Sequence, residues 1–304
     1  MEKIVSQNLI NTGGGTFDPH EDNIYFLASN TSRLSNAFEY NKYLLIAVNE
    51  INSGSDFQAL EGWLKNGNKI FLDSGVYNLA MEYAKRNNLS HDEGLNTPPH
   101  QIDGFNQLFD KYIEIVKRYG DQLWGYIEID LGGKDYKIQT RQKLHDLGLN
   151  PIPVYHPFGD GWEYFDYLAE RYDRICFGNI VQADKYTRKR LLATMWERHK
   201  KYPNLWIHLL GVTPNELLNA YPSNSADSSS WLASVRWSPS RRVKTALKSI
   251  SGIDHRYTYK LGDSNGADKA VSIAGYEFSI DNINWRNHLS TLKELGFKVY
   301  APDT

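Results

Sequence analysis

The chain has 304 residues, of which 41% are apolar and 23% charged, and its formal net charge at pH 7 is −2. This is the balance of a soluble globular protein, and it excludes a uniformly basic nucleic-acid-binding chain, so any contact with nucleic acid must use a local patch. The single cysteine, Cys176, excludes disulfide bonds within the chain and zinc sites made of several cysteines.

No targeting or membrane segment is evident in the sequence. The first residues, MEKIVSQNLINTGGG, lack the apolar core of a signal peptide, and no stretch reaches the ~18 apolar residues needed to span a bilayer. We therefore expect no membrane partner and a cytoplasmic location. Cys176 lies in the apolar run RICFGN and is expected to be a reduced core residue.

Short β-rich runs alternate with helical segments along the chain, which is the pattern of βα units and a parallel sheet. Eight strands are predicted, at 24–29, 43–48, 69–73, 124–130, 151–156, 174–178, 205–211 and 224–227. Helices are predicted at 56–66, 76–87, 101–119, 135–147, 161–171, 184–201 and 214–220. In the third helix Leu108, Tyr112, Ile113 and Val116 form one apolar stripe at helical spacing.

Eight such units predict an α/β fold, a (β/α)8 TIM barrel that spans residues 1–254 as a single domain. From about residue 255 the pattern changes, and we interpret residues 255–304 as a small C-terminal extension packed on the barrel. Near the amino terminus, the glycine-rich run at 12–16 lacks the lysine of a phosphate-binding loop. We interpret it as a flexible loop that closes on the active site.

Reactive side chains stand at the ends of several predicted strands, where α/β barrels place their active sites. Asp73, Asp130 and Asp227 each end a strand, His156 ends another, and Asn179 follows a fifth. Carboxylates from separate strands would meet at one mouth, where one can act as a nucleophile and another as a proton carrier. The alternative is that each aspartate merely caps the helix that follows it, and that the histidine is a satisfied core residue.

A basic and aromatic stretch follows the last predicted strand. It contains Trp231, Arg236, Trp237, Arg241, Arg242 and Lys244. Interleaved aromatic and basic residues suit base stacking and phosphate contact, whereas the alternative is an ordinary amphipathic wall segment. The histidines show no pair at metal-ligand spacing, so no metal and no cofactor are expected.

Several segments together resemble the tRNA-guanine transglycosylase family. FLDSGVYN (71–78) is similar to its DSGGFQ-type motif, and LLGVTPNELLNAYPSNSADSSSW (209–231) is similar to its turn and strand that end in the catalytic aspartate. PIPVYHPFGDGWEYFDYLAERYDRICFGNIV (151–181) and YPSNSADSSSW (221–231) resemble more closely the phage and bacterial branch that inserts 7-deazaguanines into DNA. The likeness covers roughly residues 40–245, in the family's order.

The resemblance implies a ping-pong base exchange in which guanine in DNA is replaced by preQ0 or a related 7-deazaguanine. Asp227 would be the nucleophile at C1′, Asp73 the general acid and base, and Asp130 the acceptor for the guanine N1–H and N2 amino donors. The other residues expected to surround the base are Ser74, Gly75, His156, Gly178, Asn179 and Gly211. The nucleic-acid contacts would come from Trp231, Arg236, Arg241, Arg242 and Lys244.

The sequence departs from the tRNA enzymes at their structural zinc site, which is held by three cysteines and a histidine. Only Cys176 is present here, so a standard tRNA substrate is disfavoured. Exchange on tRNA nevertheless stays open, as do a non-catalytic nucleic-acid-binding homologue and a glycosidase acting on free sugars, which also uses two carboxylates. If the gene is carried by a phage, the protein would act in the host cytoplasm. The oligomeric state is not predicted.

Overall fold

The computed structural model describes residues 9–21, 24–212, 221, 223–237, 242–244, 256–258, 264–265, 267–272 and 274. The strands are β1 (Ile24–Ala28), β2 (Tyr43–Ala47), β3 (Lys69–Asp73), β4 (Gly125–Tyr126), β5 (Val154–Tyr155), β6 (Arg174–Phe177), β7 (Trp206–Leu209), β8 (Ser225–Ser228), β9 (Arg242–Lys244) and β10 (Arg256–Thr258). The helices are α1 (Thr31–Leu34), α2 (Gly54–Lys65), α3 (Val76–Arg86), α4 (His91–Asn96), α5 (Phe105–Tyr119), α6 (Gly133–Asp146), α7 (Trp162–Ala169), α8 (Lys185–His199) and α9 (Ala233–Trp237).

Strands β1 to β8 form one curled parallel sheet in the order β4-β3-β2-β1-β8-β7-β6-β5. Its two edges also approach each other, because Ile127, just after β4, forms an isolated parallel bridge with Ile152, just before β5. The Glu128 amide donates to the Ile152 carbonyl at 3.0 Å, and the Ile152 amide donates to the Tyr126 carbonyl at 2.8 Å. The alternation of strands and helices predicted from the sequence is therefore confirmed as an α/β fold with eight parallel strands.

The two faces of the sheet carry separate apolar clusters, as the two-residue period of strands requires. One face holds a cluster made of strand and loop side chains: Ile24, Phe26, Tyr43, Leu45, Phe71, Trp124, Ile127, Ile152, Val154, Cys176 and Trp206. The other face packs against the helices, with Leu72 meeting α5 residues in one cluster and Ile207 meeting α8 residues in another. Asp73 stands two residues beyond Phe71 and so shares its face, the one that the helices do not cover.

Local capping interactions fix where the main helices begin. Ser53 and Asp56 form a capping box at the start of α2, and the Asp184 side chain accepts hydrogen bonds from the Tyr186 and Thr187 amides at the start of α8. Helices α3, α5 and α6 instead follow glycines with positive φ. These positions are close to the predicted helix starts, but α1 and α4 were not predicted, and the helix predicted at 214–220 lies outside the described residues.

The glycine-rich run at 12–16 does not close on the carboxyl ends of the strands, so that interpretation was wrong. It lies against their amino ends, where the buried Arg174 guanidinium donates to the Thr12 and Gly13 carbonyls at 2.8 Å. A Cβ at Gly13 would come within 2.0 Å of the Tyr126 hydroxyl, which explains the need for glycine there. Arg174 also packs over the ring of Phe17 at 4.0 Å. These contacts hold the glycine-rich segment against the strands.

Strands β9 and β10 pair antiparallel, with Tyr257 opposite Val243, and this pair joins residues on both sides of the boundary that we placed at 254 and 255. Within the described part of the chain, no helix has the length and apolar character needed to cross a membrane.

Candidate active site

A cavity of about 520 Å³ lies at the carboxyl ends of the strands, within the ~300–1,000 Å³ range of small-molecule pockets. Eight of the residues predicted to form the site line it: Asp73, Gly75, Asp130, His156, Asn179, Gly211, Asp227 and Arg236. Its wall is contributed by β1, β2, β3 and β8, by the loops that follow the eight strands, and by residues of α3, α4 and α9. The structure therefore brings together side chains that are far apart in the sequence.

Asp73 is the last residue of β3, and its Oδ1 accepts a hydrogen bond from the Gly75 amide at 2.7 Å. Burial in the cavity wall, together with the negative charges of Asp130 and Asp227, raises its pKa to about 7. A carboxyl with this pKa holds and releases a proton near neutral pH, which is the property required of a general acid and base.

Asp227 is a buried residue of β8, 7% exposed, and its Oδ1 receives two hydrogen bonds. The Gly211 amide donates at 2.9 Å, and His208 Nε2 lies 3.1 Å away. Within the described residues, no hydrogen bond reaches Oδ2 of this carboxylate. The side chain is thus held through one oxygen while it lines the cavity.

A buried hydrogen-bonded chain stands behind Asp227. The Trp206 indole donates to the Ser225 hydroxyl at 3.0 Å, and Ser225 Oγ lies 2.8 Å from His208 Nδ1. Since the serine oxygen already accepts from the indole, its own proton is available for Nδ1, which leaves the His208 proton on Nε2 facing Asp227. Sequence reasoning missed His208 and Ser225; the signals were a histidine within the otherwise apolar β7 and a serine two residues before Asp227, on the same face of β8.

Asp130 forms a second polar group in the cavity with His156. Its Oδ1 accepts from the Ser74 hydroxyl at 3.3 Å, and its Oδ2 lies 3.4 Å from His156 Nε2. Burial raises the Asp130 pKa to about 6, against the opposing charge of Lys137. Burial and the positive charge of Lys137 together lower the His156 pKa to about 3, so the imidazole is neutral at physiological pH.

Lys137 is fully buried behind this group on α6. Its Nζ donates to Asp160 Oδ2 at 2.5 Å and to the Val154 carbonyl at 3.0 Å. The same Asp160 oxygen accepts from the His156 amide at 2.8 Å. The ion pair therefore fixes the backbone of His156 and places a positive charge near Asp130.

None of the three aspartates acts as the N-cap of a helix. The N-cap of α3 is Gly75, and that of α6 is Gly132, in both cases without a side-chain cap. The hydrogen bonds of Asp227 come from the β7 strand and the turn after it, not from a helix start. The described contacts of these three residues therefore do not support the alternative that they merely cap helices.

The remaining predicted base-binding residues shape the wall. Ser74 is 1% exposed and contacts the cavity only through Asp130, while Gly178 makes room for neighbours, since its Cβ would lie 3.0 Å from Leu210. Gly75 has φ 77°, and a Cβ there would come within 2.6 Å of Asn49 Oδ1. Asn179 has φ 57°, and its side-chain amide donates to Asp92 at 3.3 Å.

The residues predicted to contact nucleic acid differ in their exposure and in their distance from the cavity. Arg236 is exposed, lines the cavity and donates to the Ser229 hydroxyl at 3.3 Å. Trp231 is 5% exposed within the apolar core, and its indole donates to the Ala28 carbonyl, so it is not free to stack on a base. Trp231 therefore fits the alternative of an ordinary amphipathic wall segment better than a role in base stacking. Arg241 lies outside the described residues, and Arg242 and Lys244 are described only as backbone of β9.

Sequence reasoning also missed most of the polar lining. The additional polar and ionisable side chains are Ser29, Asn30, Asn49, Glu50, Asn78, His91, Gln182 and Ser229. They lie in the loops after the strands and in the first turns of α3 and α4, where no periodic pattern marks them. Among the described residues, no cluster of three or more His, Cys, Asp or Glu side chains is arranged to hold a metal ion.

Comparisons with known proteins give little further information. No protein-family model matches the chain, and no curated protein matches it. Among solved structures, a protein of Aquifex aeolicus VF5, described only as "Structural study of Project ID", is similar over 86% of this chain and 94% of its own, with 11% identity and a TM-score of 0.41. A likeness at this level carries no argument about function.

Proposed function

We propose that the protein is a base-exchange transglycosylase that replaces guanine in DNA with a 7-deazaguanine through a covalent aspartyl-glycosyl intermediate. One observation carries the proposal: Asp73 and Asp227 line the same cavity and have different environments. Asp227 accepts two hydrogen bonds that stabilise a carboxylate, whereas the pKa of Asp73 is raised to about 7. Two carboxyl groups held in different environments can divide the roles of nucleophile and acid.

In the first half-reaction, Asp227 Oδ2 attacks C1′ of the target deoxyguanosine and the C1′–N9 bond breaks. Positive charge develops at C1′ in the transition state, and the nearby carboxylate stabilises it before forming the ester. The electron pair of the broken bond passes to the purine, and Asp73 supplies a proton so that guanine leaves as a neutral base.

The second half-reaction reverses these steps with a new base. Asp73, now ionised, takes the N9 proton of the incoming 7-deazaguanine, and N9 attacks C1′. The ester bond breaks and Asp227 leaves as a carboxylate. Each proton and electron pair is thereby returned, so no metal ion or redox cofactor enters the balance.

Asp130 suits the recognition of the base. An ionised carboxylate accepts both the N1–H and the N2 amino donors of guanine or of a 7-deazaguanine. With a pKa of about 6, Asp130 is largely ionised at pH 7.5, and the buried charge of Lys137 favours that form. The neutral imidazole of His156 lies beside it and adds a further hydrogen-bonding group.

We infer that the curled sheet closes into a (β/α)8 barrel, which the bridge between Ile127 and Ile152 supports. The target nucleotide must leave the base stack to reach a cavity at the barrel mouth. We favour DNA over tRNA because the chain lacks the cysteines of the tRNA enzymes' zinc site. We expect the enzyme to act in the cytoplasm, where Cys176, a buried thiol, stays reduced.

The test offers labelled guanine and labelled preQ0 to the purified protein with DNA and with tRNA side by side. We expect label to enter DNA, and Asp227→Asn and Asp73→Asn to abolish incorporation while circular dichroism remains that of the wild type. Label entering only tRNA would reject the DNA substrate. Label entering neither, together with hydrolysis of simple glycosides, would reject base exchange in favour of a glycosidase.

A further inference from the structure

The border of the cavity after β6 leads directly into the start of α8. Val181 and Gln182 line the cavity, and Asp184 caps the helix two residues later. The Arg188 guanidinium donates to the Val181 carbonyl at 2.7 Å and to the Ala183 carbonyl at 3.0 Å. The first turns of α8 are therefore tied to the cavity wall.

The outer face of these turns is basic and aromatic. It consists of Lys185, Tyr186, Lys189 and Arg190, which we call the basic rim; all four are exposed, and Tyr186 is 85% exposed. Their i, i+1, i+4, i+5 spacing places them on one side of the helix, opposite the buried Leu191 and Met195.

Helix stability does not account for this arrangement. The first turn of α8 contains Lys185 and no acidic residue, although the partial positive charge of a helix N-terminus favours acidic side chains there. A tyrosine that is 85% exposed gains nothing from burial in the folded chain. Both features suit a bound partner that is negatively charged and offers flat faces.

The distribution of charge around the cavity also indicates which path a negatively charged partner would follow across it. Arg236, on the β8 side, lines the cavity beyond Asp227, whereas α4 contributes the exposed Asp92, which accepts from Asn179. A phosphate backbone is attracted to the side of the cavity that holds Arg236 and repelled from the side that holds Asp92. It would therefore run between the basic rim and Arg236, on the side of β6 to β8 where α/β barrels often bind phosphate.

We propose that the basic rim binds the phosphates of an unpaired DNA strand while the Tyr186 ring stacks on a base next to the target nucleotide. Stacking on a protein ring requires a base that is not paired within a duplex. The inference rests on the proposed function for the identity of the target, and it adds the strandedness of the substrate and the surface that holds it.

The test measures binding of a fluorescein-labelled 20-nucleotide single strand, its duplex and the RNA of the same sequence, without any free base. Lys189→Glu with Arg190→Glu should weaken single-stranded DNA binding ~10-fold or more at 0.1 M salt and reduce the slope of log K against log salt by ~0.7 for each lost phosphate contact. Tyr186→Ala should weaken it ~5-fold or more, as expected for the loss of one stacked base.

The matched control reverses the same two charges at the far end of the same helix region, with Lys200→Glu and Lys201→Glu. Lys200 and Lys201 follow Lys189 and Arg190 by 11 residues, ~16 Å along the helix axis, so their effect on binding should be small. Equal weakening by both pairs would overturn the basic rim, as would absence of single-strand binding by the wild type. Tighter binding of the duplex or of RNA would overturn the assignment to unpaired DNA.

Failure of the proposed function gives a different result. If the wild type binds the single strand through Lys189 and Arg190 but neither guanine nor preQ0 is exchanged, the basic rim stands and base exchange does not. If exchange occurs and both pairs of variants exchange at the wild-type rate with wild-type affinity, base exchange stands and the basic rim does not.

Discussion

Replacing Asp73 with asparagine is expected to stabilise the protein at alkaline pH and to leave its stability near pH 4 almost unchanged. The pKa of Asp73 is raised from 3.8 to about 7 by burial and by the charges of Asp130 and Asp227. Above pH 3.8 the unfolded chain releases this proton while the folded protein keeps it up to about pH 7. The free energy of unfolding of the wild type therefore decreases between these two pH values. The asparagine variant lacks this titrating group and does not show this decrease.

The size of the effect follows from the two pKa values. A rise from 3.8 to about 7 corresponds to about 4 kcal/mol, at about 1.4 kcal/mol for each tenfold change in proton affinity. Asp73 is only partly buried, because its side chain faces the cavity, so solvent reduces this value. We expect a gain of ~2 kcal/mol at pH 8, and asparagine can keep the hydrogen bond from the Gly75 amide.

Urea unfolding from pH 4 to pH 8.5 measures this difference directly, and the slope of each transition checks that both proteins unfold alike. Asp103→Asn is the matched control, because Asp103 has an 88% exposed side chain and its ion pair at 3.5 Å is with the exposed Arg86. A variant at Asp73 that is less stable than the wild type at pH 8, or a difference that does not depend on pH, would refute the raised pKa.

Three further substitutions test neighbouring parts of the account. His208→Phe removes a hydrogen bond to Asp227 and should lower the single-turnover rate ~10- to 100-fold with little change in substrate affinity; a change in affinity alone would argue against a positioning role. Lys137→Met leaves Asp160 without its buried partner and should cost ~3–5 kcal/mol in urea unfolding, whereas a neutral effect would contradict the ion pair. Trp231→Ala should cost ~3–5 kcal/mol through loss of core packing; wild-type stability combined with lost DNA binding would restore its stacking role.

The repeating parts of the fold could be predicted from the sequence. Strands β1 to β8 fall within the predicted ones or differ from them by about one residue, because apolar runs and period-two alternation determine which face of a strand is buried. The cavity-lining positions of Asp73, Asp130 and Asp227 follow from the same rule, since parallel strands present their carboxyl ends at one edge. Strands β4 and β5 have two residues each and are shorter than predicted. Most other residues of the two predicted segments are not regularly paired with a neighbouring strand.

The parts that depend on long-range contacts could not be predicted. The role of the 12–16 segment depends on Arg174, which lies about 160 residues later and binds its carbonyls. The chain from Trp206 through Ser225 and His208 requires the register between β7 and β8, which no local pattern gives. Trp231 was predicted to stack on a base because aromatic and basic residues are interleaved in its segment, whereas tertiary packing buries it.

The most direct test of the central claim is to capture the covalent intermediate. The protein is mixed with a guanine-containing oligodeoxynucleotide, quenched in acid denaturant and digested, and the peptides are analysed by mass spectrometry. The proposed mechanism predicts release of free guanine and an abasic deoxyribose ester on Asp227, absent from Asp227→Asn. An ester on Asp73 or another residue, or base exchange that continues in Asp227→Asn, would contradict it.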